Sequence, residues 1–408
     1  VATVNLSIAL PGYDGGASFE GTLGLDGSPS AQGNLKVRAK ALSGFARALA
    51  LASGGAVTLP TGLEKSFELS AKIIASPDGA EVKDLIVQLG DARLQGTMRA
   101  DLGATASVDV KLSLGRLDLD EFGVFAVNEA APVAASDANR ASGTGSLGSA
   151  FTLPAELRVK VAILADAIDY RGETIRQIRA DGVLEQGVVT INLLTAQLPG
   201  STDLTVAGTL HADAGLPRFI GRTDVVSYNL RNALGWLDVP LDGCAADRLR
   251  KSVFGADVDA SPEQVQLSKQ TVNIDNAKIS GGLSLLLRDR PAFGLSLIVD
   301  KINLDAYLPA KKRGNAVTPT VAGSKSAENT AAKVTALLSS FDANLRLKVA
   351  EARFFGSLIR DVALDATLQS GEILTRDLSI KDVGGAARHC RSRESLQGRS
   401  LSQLLTLI

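Results

Sequence analysis

Apolar and polar residues alternate along most of this chain. The runs Ser107-Val-Asp-Val-Lys-Leu-Ser-Leu114, Leu157-Arg-Val-Lys-Val-Ala-Ile163 and Leu345-Arg-Leu-Lys-Val349 carry the pattern most cleanly. Successive side chains of a strand point to opposite faces, so each run predicts a strand with one apolar and one solvated face. Turn residues separate such runs, as in Ser76-Pro-Asp-Gly79, Gln186-Gly187 and Leu198-Pro-Gly200. Their spacing predicts antiparallel meanders rather than the helical crossovers of a parallel sheet. Helical spacing is confined to short stretches. Leu230, Ala233, Leu234 and Leu237 form one such stretch, and Leu42, Phe45 and Leu49 another; each predicts a short helix capping an end of sheet.

Sliding the chain against itself exposes a duplication. At an offset of 185 residues Ser76-Pro77 falls on Ser261-Pro262, Gly96 on Gly281, and Leu117-Asp-Leu-Asp-Glu-Phe122 on Ile302-Asn-Leu-Asp-Ala-Tyr307. At 184, Gly172-Glu-Thr-Ile-Arg-Gln-Ile178 falls on Gly356-Ser-Leu-Ile-Arg-Asp-Val362, and Gly187 and Gly200 fall on Gly371 and Gly384. Near the start, offsets of 188 and 187 bring Leu10-Pro-Gly12 onto Leu198-Pro-Gly200 and Gly21-Thr-Leu23 onto Gly208-Thr-Leu210. Turn glycines and apolar alternation recur in one phase, which predicts a single β-rich pattern run through twice.

Two Ala/Ser/Gly/Thr-rich stretches also fall one repeat apart and cannot bury a core. The expected organisation is a first β region over 1–129, a polar linker at 130–149, a second β region over 150–310, a second linker at 311–333, a third, incomplete β region over 334–384, and an atypical tail at 385–408. In that tail the repeat calls for a strand like Asp203-Leu-Thr-Val206, but the chain reads Ala386-Ala-Arg-His-Cys-Arg-Ser-Arg-Glu394. Our hypothesis is a reading-frame slip or truncated end; a continuous parent reading frame would contradict it.

Composition narrows the function classes. Of the 408 residues 45% are hydrophobic but only 4% aromatic, with one Met, so the apolar content is aliphatic and suits thin sheets. Lys and Arg number 43 against 44 Asp and Glu, a balance that removes the electrostatic drive for nucleic-acid binding. Cys244 and Cys390 are the only cysteines, too few for a metal motif or a disulfide framework. No stretch approaches the roughly 18 to 20 apolar residues that span a bilayer. The chain opens on Val1 directly in a strand-like alternation, so any signal or membrane anchor is expected outside this sequence.

Candidate chemistry is sparse. Asp118, Asp120 and Glu121 resemble a cation site or an acid/base pair, yet the second copy keeps only Asp305, with Asn303 and Ala306 beside it. The shared need is then a residue that ends a strand and caps a short helical turn. Leu119, Asp120 and Phe122, with their counterparts Leu304, Asp305 and Tyr307, are read as structural motif residues, the two rings packing as lids. Gly143-Thr-Gly-Ser-Leu-Gly148 matches a dinucleotide fingerprint in letters, but no strand precedes it and Pro154 interrupts the helix that should follow. His211 and His389 are the only histidines, so a Ser/His/Asp set or a His-based metal site has no support. No catalytic residue, metal or cofactor is expected, and the chain is not expected to be an enzyme.

At these residues the chain resembles the AsmA family of bacterial envelope proteins. The carriers are Leu-Asp-Leu-Asp-Glu-Phe at 117–122, Ile-Asn-Leu-Asp-Ala-Tyr-Leu-Pro at 302–309, Asn-Leu-Arg-Asn-Ala-Leu-Gly-Trp-Leu at 229–237, and the Gly-rich strands between, over most of residues 1–384. The resemblance implies an inner-membrane anchor, a periplasmic β-groove, and a part in outer-membrane assembly, protein targeting to the membrane and lipid homeostasis. The expected fold is mainly β: repeated antiparallel meanders forming a long curled sheet or groove, with a few short capping helices. Phospholipid is the expected partner, held by its acyl chains. On one face we place Leu85, Val87, Val108, Val110, Leu112, Leu295, Leu297, Val299, Leu345, Leu347 and Val349 as groove candidates. The same residues would serve as core if two sheets closed into sandwiches, as in a structural or adhesive β-repeat protein acting through its outer surface.

Overall fold

The computed structural model describes residues 1–10, 14–24, 28–44, 64–103, 105–122, 151–241, 244–288, 290–307, 340–354, 356–383 and 390–392. Of these described residues 73% are strand and 6% helical. The fold is mainly β, as the alternation predicts. Both polar linkers, the dinucleotide-like letters at 143–148, Phe45, Leu49 and His389 lie outside the described residues, as does the side chain of Phe122. The chain divides into two compact units, Val1–Pro199 with Asp203–Pro217 and Gly200–Thr202 with Arg218–Ile408.

The first unit holds β1 (Ala2–Leu10), β2 (Gly15–Gly24), β3 (Ser30–Ala39), β4 (Phe67–Ser76), β5 (Gly79–Leu89), β6 (Ala92–Asp101) and β7 (Ala106–Asp118). A one-turn helix α1 (Leu119–Phe122) follows, then β8 (Leu157–Tyr170), β9 (Glu173–Glu185), β10 (Val188–Leu198) and β11 (Thr202–Asp213). Each strand from β1 to β10 pairs with the next in sequence, antiparallel at every step but one. The exception is β7–β8, which is parallel, with Val108 opposite Val159 and Leu112 opposite Ile163.

The second unit repeats that ladder. It runs through β12 (Leu216–Ser227), helix α2 (Leu230–Trp236), β13 (Ser252–Ala260), β14 (Gln264–Ile274), β15 (Ala277–Leu286), β16 (Ala292–Asn303) and a 3-10 turn η1 (Leu304–Ala306). Then come β17 (Asp342–Phe354), β18 (Ser357–Gln369), β19 (Glu372–Val383) and the short β20 (Cys390–Ser392). Neighbours again pair antiparallel except β16–β17, which is parallel. The expectation of purely antiparallel meanders is thus corrected at two equivalent places. A parallel pair needs a connection of a dozen residues or more, and the two polar stretches occupy those two connections.

The duplication extends to irregularities. The β5–β6 register slips between Val82 and Leu85, and the β14–β15 register slips between Leu267 and Gln270, 185 residues on. At both slips a non-glycine residue takes a left-handed conformation, Asp84 at φ 50° and Lys269 at φ 49°. The β9–β10 and β18–β19 ladders likewise slip at matching positions, past Asn192 and Arg376. A bulge adds twist and brings a partner backbone close, which explains the recurring glycine. A Cβ on Gly96 would sit 2.3 Å from the Lys111 carbonyl oxygen, and one on Gly281 would sit 1.9 Å from that of Ser296.

Helix α2 forms where helical spacing predicts it. Asn229 caps it, its side chain accepting from the Asn232 N–H at 3.2 Å. Ala233 is buried, whereas Leu237 is 53% exposed and lies outside the helix. The Arg231 guanidinium donates to the carbonyls of Cys244, at 3.0 Å, and Ala245, joining the helix to the segment before β13. In the first unit only the opening turn of the counterpart, residues 42–44, is described as helical.

Candidate functional site

Register decides which side chains share a face. In the second unit one cross-strand row runs Val225, Phe254, Val272, Ile279, Val299, Val349, Val362, Ile380, one residue from each strand from β12 to β19. Parallel rows lie beside it, Leu297–Leu347–Leu364–Leu378 and Leu283–Leu295–Leu345–Ala366. The alternate residues form a different surface: Asp224, Gly255, Thr271, Ser280, Ile298, Lys348, Ala363 and Ser379. That surface is laced with cross-strand ion pairs, among them Arg222–Asp257 at 3.1 Å and Lys269–Asp257 at 2.9 Å. Asp257 is held below the ordinary carboxylate range by the Lys269 ammonium and then by the Arg222 guanidinium.

The first unit has the same two faces. Its apolar row runs Ile8, Ala17, Val37, Leu69, Val87, Leu94, Leu114, Ala165, Ile178 across β1 to β9. All the groove candidates fall on these faces. Leu85 and Leu112 flank Gly96 in one row, Val110 pairs with Val161 and Val108 with Val159. In the second unit Leu295, Leu297 and Val299 lie opposite Leu345, Leu347 and Val349.

The two faces differ in exposure as well as chemistry. Val299 and Val349 are 5% and 7% exposed, while Ile298, one residue along, is 56% exposed. The packing neighbours of Val299 and Val349 are mostly from the same apolar face: Ile279, Leu347, Val362 and Ile380. The most extensive close approaches among the described elements are between ladder neighbours, and α1 and η1 touch the strand beside them. The buried apolar residues among those described are mainly Ala and Val.

The acidic motif does something the sequence did not predict. Asp118, not Asp120, caps α1, its Oδ1 accepting from the N–H of Asp120 at 3.0 Å and of Glu121 at 3.3 Å. Asp120 reaches instead to the β8–β9 turn and accepts from the N–H of Arg171 at 2.8 Å and Gly172 at 2.9 Å. Asp305 does the same for the β17–β18 turn, accepting from Gly356 N–H at 2.8 Å. The acid survives in both copies because it pins the next hairpin, about fifty residues away. Leu119 and Leu304 open the two turns.

Tyr307 is more than a lid. Its hydroxyl donates to Asp275 Oδ2 at 2.9 Å, and burial followed by that hydrogen bond pushes its phenol up to about 12. Asp275 also accepts from the N–H of Leu249 at 3.2 Å and Arg250 at 3.3 Å. This knot ties the β14–β15 turn to the segment before β13 and the turn after β16. In the first unit the corresponding tie is an ion pair, Lys65 with Glu121, which raises the Lys65 ammonium.

Among the described residues no group of three or more His, Cys, Asp or Glu could hold a metal ion, and no helix is long and apolar enough to cross a membrane. His211 sits half-buried in β11 and Cys244 is a half-buried free thiol. No protein-family model, curated protein or solved structure matches the chain.

Proposed function

We propose that the chain is an AsmA-like protein of the bacterial cell envelope, working in the periplasm in outer-membrane assembly, protein targeting to the membrane and lipid homeostasis. Its apolar face holds or conducts phospholipid acyl chains. The supporting observation is the apolar row, aliphatic but for Phe254, that crosses every strand from β12 to β19 while the residues alternating with it carry the ion pairs. Water against such a face is costly, and covering it with hydrocarbon gains roughly 0.8 kcal/mol for each methylene buried. An acyl chain shielding ten methylenes would gain about 8 kcal/mol, enough for micromolar retention before ordering costs.

Chemistry, not volume, carries this reading. A hollow of about 650 Å³ in the second unit is lined by Lys278, Ile298, Lys348 and Lys381, which alternate with the apolar row, and also by Val299 and Val349 of the row itself. The test is lipid retention. Native mass spectrometry of the purified chain is expected to show co-purifying phospholipid, and after delipidation the chain should take up a phospholipid with a fluorescent acyl tail. A chain that carries no lipid and takes none up would overturn the proposal and favour a structural β-repeat protein acting through its charged face.

A further inference from the structure

The two units diverge sharply at one place, the end of the parallel strand pair. In the first unit Arg116 of β7 donates to Asp169 of β8 at 2.6 Å, and the Thr174 hydroxyl donates to the same carboxylate at 2.6 Å. Asp169 is held below the ordinary carboxylate range by Arg116 and then Thr174. The cation is neutralised within the fold.

In the second unit Lys301 stands in the place of Arg116, but Arg353 replaces Asp169 and Asn303 replaces Asp118. Two carboxylates have become a guanidinium and an amide, while Glu351 stands where the first unit has Ala167, so the end of the pair still shifts toward positive charge. The register sets Lys301 opposite Glu351 and Asn303 opposite Arg353, so the two cations are diagonal neighbours on one face of adjacent strands. Both are exposed, and among the described residues neither forms an ion pair within 4 Å. Glu351 lies instead at 4.0 Å from Arg360.

These cations border a cavity of about 460 Å³ whose lining also includes Arg248, Asn276, Asn303, Tyr307 and two carboxylates, Asp275 and Glu351. Asp275 is already engaged by three donors, the Tyr307 hydroxyl and two backbone N–H groups. Arg248 pairs with Asp247 at 3.2 Å through Nη2, but its Nε is shielded from solvent and has no hydrogen-bond partner. Three cations line the cavity against two carboxylates, Asp275 held by its three donors and Glu351 within 4.0 Å of Arg360, so the lining keeps net positive charge together with a stranded N–H and two amides.

We infer that this cavity is an anion site for a tetrahedral phosphate group, held by Lys301, Arg353 and Arg248. The group is a phosphate, whether free in solution or in an anionic lipid headgroup at a bilayer surface. The inference stands on the charge reversal between the copies and is independent of the acyl-chain reading.

The test uses the full chain at low ionic strength. Calorimetric titration with inorganic phosphate should show binding, and the double variant Lys301→Gln/Arg353→Gln should weaken it at least tenfold. Lys348→Gln, on the same polar face but outside the cavity, should leave it unchanged. Arg353→Asp, which restores the pairing of the first unit, should abolish it. Flotation with phosphatidylglycerol against phosphatidylcholine vesicles separates the sources. Retention on phosphatidylglycerol alone, lost in the double variant, identifies a headgroup; phosphate binding without vesicle retention identifies a soluble anion. The site is overturned if wild type binds neither, or if the double variant, still folded by circular dichroism, binds both as wild type does. Acyl-tail uptake should be the same in all these variants, so its failure would count against the proposed function alone.

Discussion

The two units are the same ladder held at its end by different chemistry. In the first, Lys65 pairs with Glu121 and Arg116 with Asp169; in the second, Tyr307 hydrogen-bonds Asp275 and the cations Lys301 and Arg353 are left without an ion pair among the described residues. Bulges, turn conformations and the acid that pins the next hairpin are common to both. What both copies keep is what the backbone demands, and what they exchange is the side-chain chemistry of one end. Duplication thereby separates scaffold from specialisation without any third protein for comparison.

The largest expected effects test the shared part. Gly281→Val should destabilise the second unit by about 3 kcal/mol, because its Cβ would meet the Ser296 carbonyl and its backbone sits at φ 153°. Gly96→Val should cost the first unit somewhat less, about 2 kcal/mol, since only the close approach applies. Urea unfolding with hydrogen exchange to localise the loss checks both. Val accepted without loss at either glycine would break the claim that the bulge is one device used twice.

Next come the hairpin pins. Asp120→Ala and Asp305→Ala should each cost about 1 kcal/mol and speed amide exchange at Gly172 and Gly356 respectively. Exchange at the α1 amides of Asp120 and Glu121 should change only with Asp118→Ala. The opposite assignment of effects would restore the reading of Asp120 as a cap for its own turn.

The divergent ties should separate by pH. Tyr307 is raised to about 12, so its contribution is complete below the ordinary tyrosine value near 10 and drains as pH rises from there through about 12. Asp169 is lowered, so its contribution is present above the ordinary value near 4 and lost as pH falls through its depressed folded value. Alkali should therefore loosen the end of the second unit first, and acid the matching end of the first. Hydrogen exchange near Asn276 and Thr174 reads the two.

Smallest of all is Glu121→Gln. Its exposed ion pair with Lys65 should contribute under about 0.5 kcal/mol and vanish in high salt. Tyr307→Phe should cost more, about 1 kcal/mol, and be insensitive to salt.

Much of this scaffold was legible in the sequence. Gly96 and Gly281, the Gly187 and Gly371 turns, and the alternation through Val108 to Leu112 encode strands, phase and duplication. The two parallel pairs were not legible, because a polar connection such as 130–149 states only that it stays in solvent and not which end of the sheet it reaches. Nor was the target of Asp120, since Arg171 and Gly172 lie some fifty residues later and nothing local marks them as its partners. The groove candidates were placed on one face by their period of two. Whether that face stays open depends on what packs against it, which alternation does not encode.

Lipid retention by face-matched variants tests the central claim most directly. Val299→Glu and Val349→Glu alter the apolar row, and Ile298→Glu alters the charged face one residue away. If the apolar face holds acyl chains, the first two should lose most co-purified phospholipid while remaining folded by circular dichroism, and Ile298→Glu should retain it. Unfolding by the first two, or equal lipid retention in all three, would contradict it.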